Sequence, residues 1–159
     1  LPRHVEHLVQ SIAANPEISS WNLITPIETE EEVHRHSFVK CAITDFGKIL
    51  YCFRESPHVS NFNSQIKFVR KLQGIIAYRK DFLLKLIHFP VTPIEKAEGI
   101  EQMRILENGY NLNYIEVNPA LPSINEPDDL QEVLNILSTN SEQKNLLSAI
   151  KELDLSEKN

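Results

Sequence analysis

Hydrophobic spacing changes several times along the chain, and each change marks an element. Val5, Leu8, Val9 and Ile12 recur at helical intervals, predicting an amphipathic helix from Pro2 to Ala14 that stops at Asn15-Pro16. Trp21-Asn22-Leu23-Ile24-Thr25 predicts a short strand ended by Pro26. The acidic run Glu28 to Glu32 has Thr29 as N-cap and Glu32 three residues on, a capping-box spacing that predicts a short helix or turn with solvated charges. Phe38 to Thr44 and Ile49 to Phe53 flank Asp45-Phe46-Gly47-Lys48 and predict a β-hairpin. A two-residue Phe46-Gly47 turn would set Cys41 opposite Cys52 and Ile43 opposite Leu50. Glu55 to Lys67, with Pro57 and several Asn and Ser, predicts an exposed loop.

Phe68 to Tyr78 predicts a strand, with Gly74 inside it marking a bulge or a close approach. Asp81 to Ile87 predicts a short helix. Thr92-Pro93-Ile94-Glu95 is a strong helix start: Thr92 as N-cap, Pro93 at the first helical position and Glu95 completing a capping box. That helix is expected to run to Asn108, with Ile94, Ala97, Ile100 and Met103 as its apolar face and Gly109 as its stop. Leu112 to Val117 predicts a strand. Pro127 opens a further helix with Asp128 and Asp129 in its first turn and a buried stripe of Leu130, Val133, Leu134 and Leu137. A last amphipathic helix is expected from Ser141 to Leu153, followed by a frayed tail. Strands alternating with helices define an α/β class, with the hairpin as an antiparallel excursion from a mixed sheet.

Composition narrows the function. At 159 residues the chain is one domain in length. Its net charge of -6 argues against a phosphate-coating nucleic-acid binder, which needs surplus Lys and Arg. No apolar run approaches the ~18 residues of a membrane-spanning helix, and no signal peptide is evident. Because the chain opens on Leu1 rather than Met, its natural start is expected to lie upstream. Two cysteines cannot build a disulfide scaffold or a four-thiolate zinc site. Cys41 and Cys52 are expected as paired reduced thiols, although a disulfide across the hairpin is conceivable.

Thr92 to Arg104 is the most informative chemistry. It places Glu95, Glu98, Glu101, Gln102 and Arg104 on one expected helix. Carboxylate and amide oxygens gathered on a helix suit a polyhydroxylated ligand, whose hydroxyls they accept. The same spacing equally describes an exposed helix laced by i,i+3 ion pairs such as Glu101 to Arg104. His34 and His36 beside Glu30, Glu31 and Glu32 imitate a metal cluster, but the run reads as solvated surface. His4 and His7 share a helical face with no third ligand nearby. Phosphate-binding glycine loops and the common hydrolase and zinc motifs do not occur.

The run Leu72-Gln73-Gly74-Ile75-Ile76-Ala77-Tyr78-Arg79-Lys80-Asp81-Phe82-Leu83 resembles the "GIYAYR-x-x-F" segment of CMP-Kdo synthetases, the 3-deoxy-manno-octulosonate cytidylyltransferases. Thr92 to Tyr110 resembles their "SPLE-x-x-E-x-LEQLR-x-L-x-x-G" helix. Ile124-Asn125-Glu126-Pro127-Asp128-Asp129-Leu130 resembles their "VDTPEDL" motif, and Tyr51-Cys52-Phe53-Arg54 more loosely their "LYFSR". The likeness covers about residues 1–137, leaving 138–159 as a C-terminal helix and tail.

This resemblance implies a partial Rossmann-like nucleotidyltransferase fold. The implied reaction transfers CMP from CTP to the anomeric hydroxyl of a Kdo-type sugar acid with Mg2+, releasing pyrophosphate in lipopolysaccharide precursor synthesis. It further implies a cytoplasmic homodimer without nucleic-acid or membrane partners. By position, Tyr78, Glu101 and Gln102 would bind the sugar acid, and Arg54 would offer a cation to its carboxylate. Asn125 stands where the family has a metal-binding Asp, Leu72 where it often has a sugar-contacting His, and Ser123 where it has a motif glycine. The family's nucleotide-binding loop and first metal-binding Asp have no counterpart here, and no catalytic residue is recognisable. The chain is therefore expected to be a sugar-acid-binding portion, inactive alone, with a non-catalytic interaction module as the alternative.

Overall fold

Thirteen elements follow one another in the computed structural model, which describes residues 1–56, 61–124, 126–127 and 129–156. They are α1 (Pro2–Ala14), β1 (Ser20–Pro26), α2 (Glu30–His34), β2 (Lys40–Ile43), β3 (Lys48–Phe53), α3 (Phe62–Gln65) and β4 (Val69–Tyr78). Then come α4 (Lys80–Leu86), α5 (Pro93–Glu98), α6 (Gln102–Glu107), β5 (Leu112–Glu116), α7 (Asp129–Thr139) and α8 (Ser141–Ser156). By compactness the chain forms two units, Glu6–Ala120 and a second made of Leu1–Val5 with the residues from Leu121 on.

The larger unit is a mixed α/β layer structure, as expected. β1 pairs in parallel with β5 and antiparallel with β4; the β2–β4, β2–β3 and β3–β5 pairings are antiparallel, so the ladder closes on itself. β1 is covered on both faces, with Ser20 to Thr25 all buried. On one face Trp21 and Leu23 pack with Leu8 of α1 and with Ile115 and Val117. On the other, Ile24 joins Phe82, Leu86, Ile100, Met103 and Ile105 of the helical layer, with Cys41, Ile49, Cys52 and Leu112. A smaller cluster of Ile27, Val33, Phe53 and Val69 holds α2 against the sheet.

Arg79, just past β4, ties down the end of α1. Its Nη2 donates to the carbonyls of Ile12 and Asn15, each at 3.0 Å, and its Nε to Ile18 O at 2.8 Å. The guanidinium carbon lies 5.5 Å from the Trp21 ring centre. A helix leaves its last carbonyls unsatisfied, and here one side chain serves that of Ile12 together with the Asn15 and Ile18 carbonyls of the following turn.

Four expectations are corrected. The hairpin pairs Cys41 with Cys52 as read, but a register shift follows and Ile43 faces Ile49, not Leu50. The connection is longer than two residues: Thr44 N donates to Lys48 O at 2.9 Å, and Gly47 takes the left-handed φ of 78° that closes such a loop. Second, 55–67 is not all loop. Asn61 caps the short α3 by accepting from Ser64 N at 3.0 Å, and Phe62 packs on the smaller cluster; the expectation for Pro57 to Ser60 lies outside the described residues. Third, the acidic run is not merely solvated. Glu32 pairs with Lys71 and its carboxylate accepts from Glu28 N at 2.7 Å, while Thr29 accepts from Glu32 N. Fourth, the α7 stripe is not buried: Leu130, Leu134 and Leu137 are exposed, as are Ile150 and Leu153 on α8, because two paired helices seal only the seam between them.

Cys41 and Cys52 are free thiols, fully buried. Burial pushes the Cys41 thiol up to about 12 and raises Cys52 well above its ordinary range, so neither forms the reactive thiolate near neutrality. An aromatic disulfide reagent at pH 8 is expected to label neither in the native protein and both in denaturant; prompt native labelling would contradict this packing. Arg79→Ala is expected to cost about 2 kcal/mol in chemical denaturation through the lost carbonyl bonds. A change below about 0.5 kcal/mol would show that α1 does not depend on them.

Candidate functional site

The expected helix from Thr92 to Asn108 is two helices. Gly99 takes a left-handed φ of 66°, Gly99 N donates to Glu95 O at 2.9 Å, and the chain restarts as α6 after Glu101. A left-handed residue ends a helix, and Gly accepts that conformation without a Cβ penalty. The break removes the uniform i,i+3 geometry on which an ion-paired exposed helix would rest.

The pieces lock together by another pairing. Glu95 is buried; its carboxylate accepts from Thr92 N at 3.2 Å, completing the capping box, and binds Arg104 through both Nε (2.8 Å) and Nη2. Glu107, from α6, accepts from Ile94 N at 3.1 Å and Glu95 N at 3.0 Å, satisfying the open amides of α5. The Arg104 bond holds the Glu95 carboxyl below its ordinary 4.5 against the opposing effect of burial. With Arg104 taken by Glu95, the exposed Glu101 carboxylate makes no hydrogen bond or ion pair among the described residues.

Of the expected site residues, the fold gathers Tyr78, Glu101 and Gln102. Tyr78 ends β4, half-buried, its ring 6.4 Å from that of Phe82. Burial raises its phenol above the ordinary value, and the nearby Glu101 charge raises it further. Gln102 is buried and its Nε2 donates to Asn22 Oδ1 at 3.1 Å. Asn22 faces Ile76 across the β1–β4 ladder while Ser20 faces Tyr78, so Asn22 and the partner of Tyr78 lie two residues apart on one face of the sheet.

Arg54 lies on the neighbouring side of α5. Its backbone N donates to Glu98 Oε2 at 3.1 Å, its Nε to Glu98 O at 3.1 Å and its Nη1 to His36 O at 3.2 Å. Among the described residues it makes no hydrogen bond or ion pair with Glu101. Lys40, buried nearby, donates to Arg35 O at 2.8 Å; burial and then the Arg54 charge bring its amine down to about 8. Asn125 lies outside the described residues. Among those described, no three His, Cys, Asp or Glu side chains come together as a metal cage, and Asp129 instead accepts from Glu126 N at 2.9 Å. Leu72, at the family's histidine position, packs on the main core.

The pattern reading missed Asn22, Gln73 and Thr25. Asn22 Nδ2 donates to Gln73 O at 2.9 Å, and Gln73 Nε2 to Thr25 Oγ1 at 3.0 Å, bridging the register shift that accompanies Gly74. Their signal was an amide inside a strand whose neighbours are apolar, since such a group needs a partner when buried.

The fold agrees with the comparisons. Residues 1–116 match the family model described as Cytidylyltransferase, and the chain belongs to this family. Within it the likeness is to CMP-Kdo synthetases. The 3-deoxy-manno-octulosonate cytidylyltransferase of Protochlamydia amoebophila is 30% identical over 135 residues, covering 83% of this chain and 52% of that protein. That of Chlamydia caviae is 31% identical over 141 residues, covering 86% and 53%. A solved CMP:2-keto-3-deoxy-manno-octonic acid synthetase complexed with CTP superposes with a TM-score of 0.75 at 30% identity, over 86% of this chain and 56% of that one. The chain thus spans about half the length of the curated relatives it matches.

Glu95 supplies a pH test. A carboxyl depressed in the folded state contributes stability above its unfolded value of 4.5 and loses it as pH falls through the folded value. The unfolding midpoint should therefore drop below about pH 4.5 in the wild type, and Glu95→Gln should make that drop shallower while lowering the midpoint at pH 7. An unaltered acid limb in Glu95→Gln would remove Glu95 from the account.

Proposed function

We propose that the chain is the sugar-acid-binding portion of a CMP-Kdo synthetase, 1–137 forming its cytidylyltransferase-like part and 138–159 a C-terminal helix and tail. The whole enzyme would join CTP and a Kdo-type sugar acid into CMP-sugar and pyrophosphate for lipopolysaccharide precursors, as a cytoplasmic homodimer. The observation that carries this reading is the uncommitted Glu101 carboxylate beside Tyr78: Arg104, its expected partner, is bound to Glu95 instead.

In this reading Tyr78, Glu101 and Gln102 hold and orient the sugar hydroxyls, so that the acceptor is pre-positioned and part of the entropic barrier is removed on binding. Arg54, whose Nη2 makes no bond among the described residues, supplies a cation for the sugar carboxylate. Magnesium, which the family resemblance implies, would offset the triphosphate charge. Among the described residues no three His, Cys, Asp or Glu gather to hold it, and the expected position, Asn125, lies outside them.

A second reading, a binding module derived from the same scaffold, draws on Leu72 and Asn125 standing at the family's histidine and metal positions. Calorimetric titration of Kdo, with and without CTP and magnesium, separates the two. Kdo binding, with or without CTP and magnesium, supports the synthetase portion; no Kdo binding under either condition leaves the module. Glu101→Ala is expected to weaken Kdo binding at least tenfold, the loss of one charged hydrogen bond, with little change in unfolding midpoint. Large destabilisation with unchanged affinity would make Glu101 structural.

A further inference from the structure

The Gln102 amide has only one polarity that its surroundings allow, and Asn22 sets it. Backbone carbonyls accept hydrogen bonds and cannot donate them. Asn22 Nδ2 lies 2.7 Å from Leu23 O and 2.9 Å from Gln73 O, so the reverse orientation would set Oδ1 against two acceptors. The Asn22 oxygen must therefore face Gln102, and an oxygen there requires the Nε2 donor of Gln102, found at 3.1 Å. Asn22 is fully buried, so water cannot rescue its amide if the chain of bonds is reversed.

What remains of Gln102 is its Oε1. This atom accepts no hydrogen bond from the described residues, yet it is not sealed from solvent, although the residue is only 7% exposed. Beside it in sequence stands Glu101, also with an unpaired carboxylate among the described residues.

We propose that Asn22 is a positioning residue that holds Gln102 amide-nitrogen inward, so that the site meets its ligand with acceptors only at this point, Gln102 Oε1 and the Glu101 carboxylate. Such a pair selects ligand hydroxyl hydrogens and rejects an oxyanion, which places the carboxylate of a sugar acid away from Gln102. This rests on the reading of Glu101 and Gln102 as ligand groups, but the lock itself is a property of the free protein.

Two measurements test it on the full chain. The first follows exchange of the Gln102 side-chain amide protons by NMR; the second titrates Kdo calorimetrically into wild type, Asn22→Asp and Asn22→Leu. The carboxyl of Asn22→Asp still accepts from Gln102 and, protonated, donates to a single carbonyl; Asn22→Leu releases Gln102. Slow exchange is expected in wild type and Asn22→Asp, and fast exchange in Asn22→Leu. Kdo affinity should fall roughly tenfold in Asn22→Leu and stay within about threefold in Asn22→Asp, even though Asn22→Asp melts lower. Affinity falling in step with stability in both variants, or fast Gln102 exchange in wild type, would overturn the proposal. Should wild type bind no Kdo, the sugar-acid reading fails while the exchange rates still decide the lock. If Asn22→Leu does not fold, the wild-type rate and Asn22→Asp decide it.

Discussion

Arg104 has one guanidinium, and the identity of its partner determines what α5 and α6 present to the outside. Glu95 takes it in a two-pronged bond, buried, while also closing the capping box at Thr92. A bidentate carboxylate–guanidinium pair is geometrically demanding, so it fixes α6 against α5 across the Gly99 break. Glu107 completes the lock from the other side by accepting the first amides of α5. Because these charges are spent on joining the helices, Glu101 is left without an ion-pair partner among the described residues, while its charge is felt at the Tyr78 phenol; the proposed sugar-acid site rests on that arrangement.

The sheet supplies the second half of the site. β1 is buried on both faces, and an amide on such a strand must be answered by others. Asn22 answers Gln102 above it and the Gln73 carbonyl beside it, and Gln73 in turn reaches Thr25. The irregular stretch of β4 around Gly74 is thus held by side-chain amides where ladder bonds are displaced. The same network that bridges the bulge also bonds Gln102, which is where the proposed sugar-acid site meets the sheet.

Much of this was legible beforehand, and the failures have a common cause. Periodicity found the strands, the α5 start at Thr92-Pro93 and the Cys41–Cys52 pairing, all of which depend on local pattern. It joined α5 to α6 because Gly99 has no apolar signature of its own; only its φ reveals the break. The loop is one residue longer than a two-residue Phe46-Gly47 turn for the same reason, which moves the partner of Ile43 from Leu50 to Ile49. The Glu95–Arg104 and Lys71–Glu32 pairs join residues nine and 39 apart, beyond any helical spacing rule. Asn22 stands out in the sequence only as one polar residue in a strand, because strand patterning registers polarity but not who answers it. The α7 stripe shows the converse: apolar spacing predicts a helix well and its burial poorly, since burial depends on what else is packed there.

The central claim is that Tyr78, Glu101 and Gln102 face one ligand. Backbone amide shift mapping tests it most directly, with the isotope-labelled chain titrated with Kdo. The account predicts perturbations centred on the amides of Tyr78, Glu101 and Gln102 and extending to Asn22 and Gln73. Perturbations confined to α7 and α8, or none at saturating sugar acid, would contradict it.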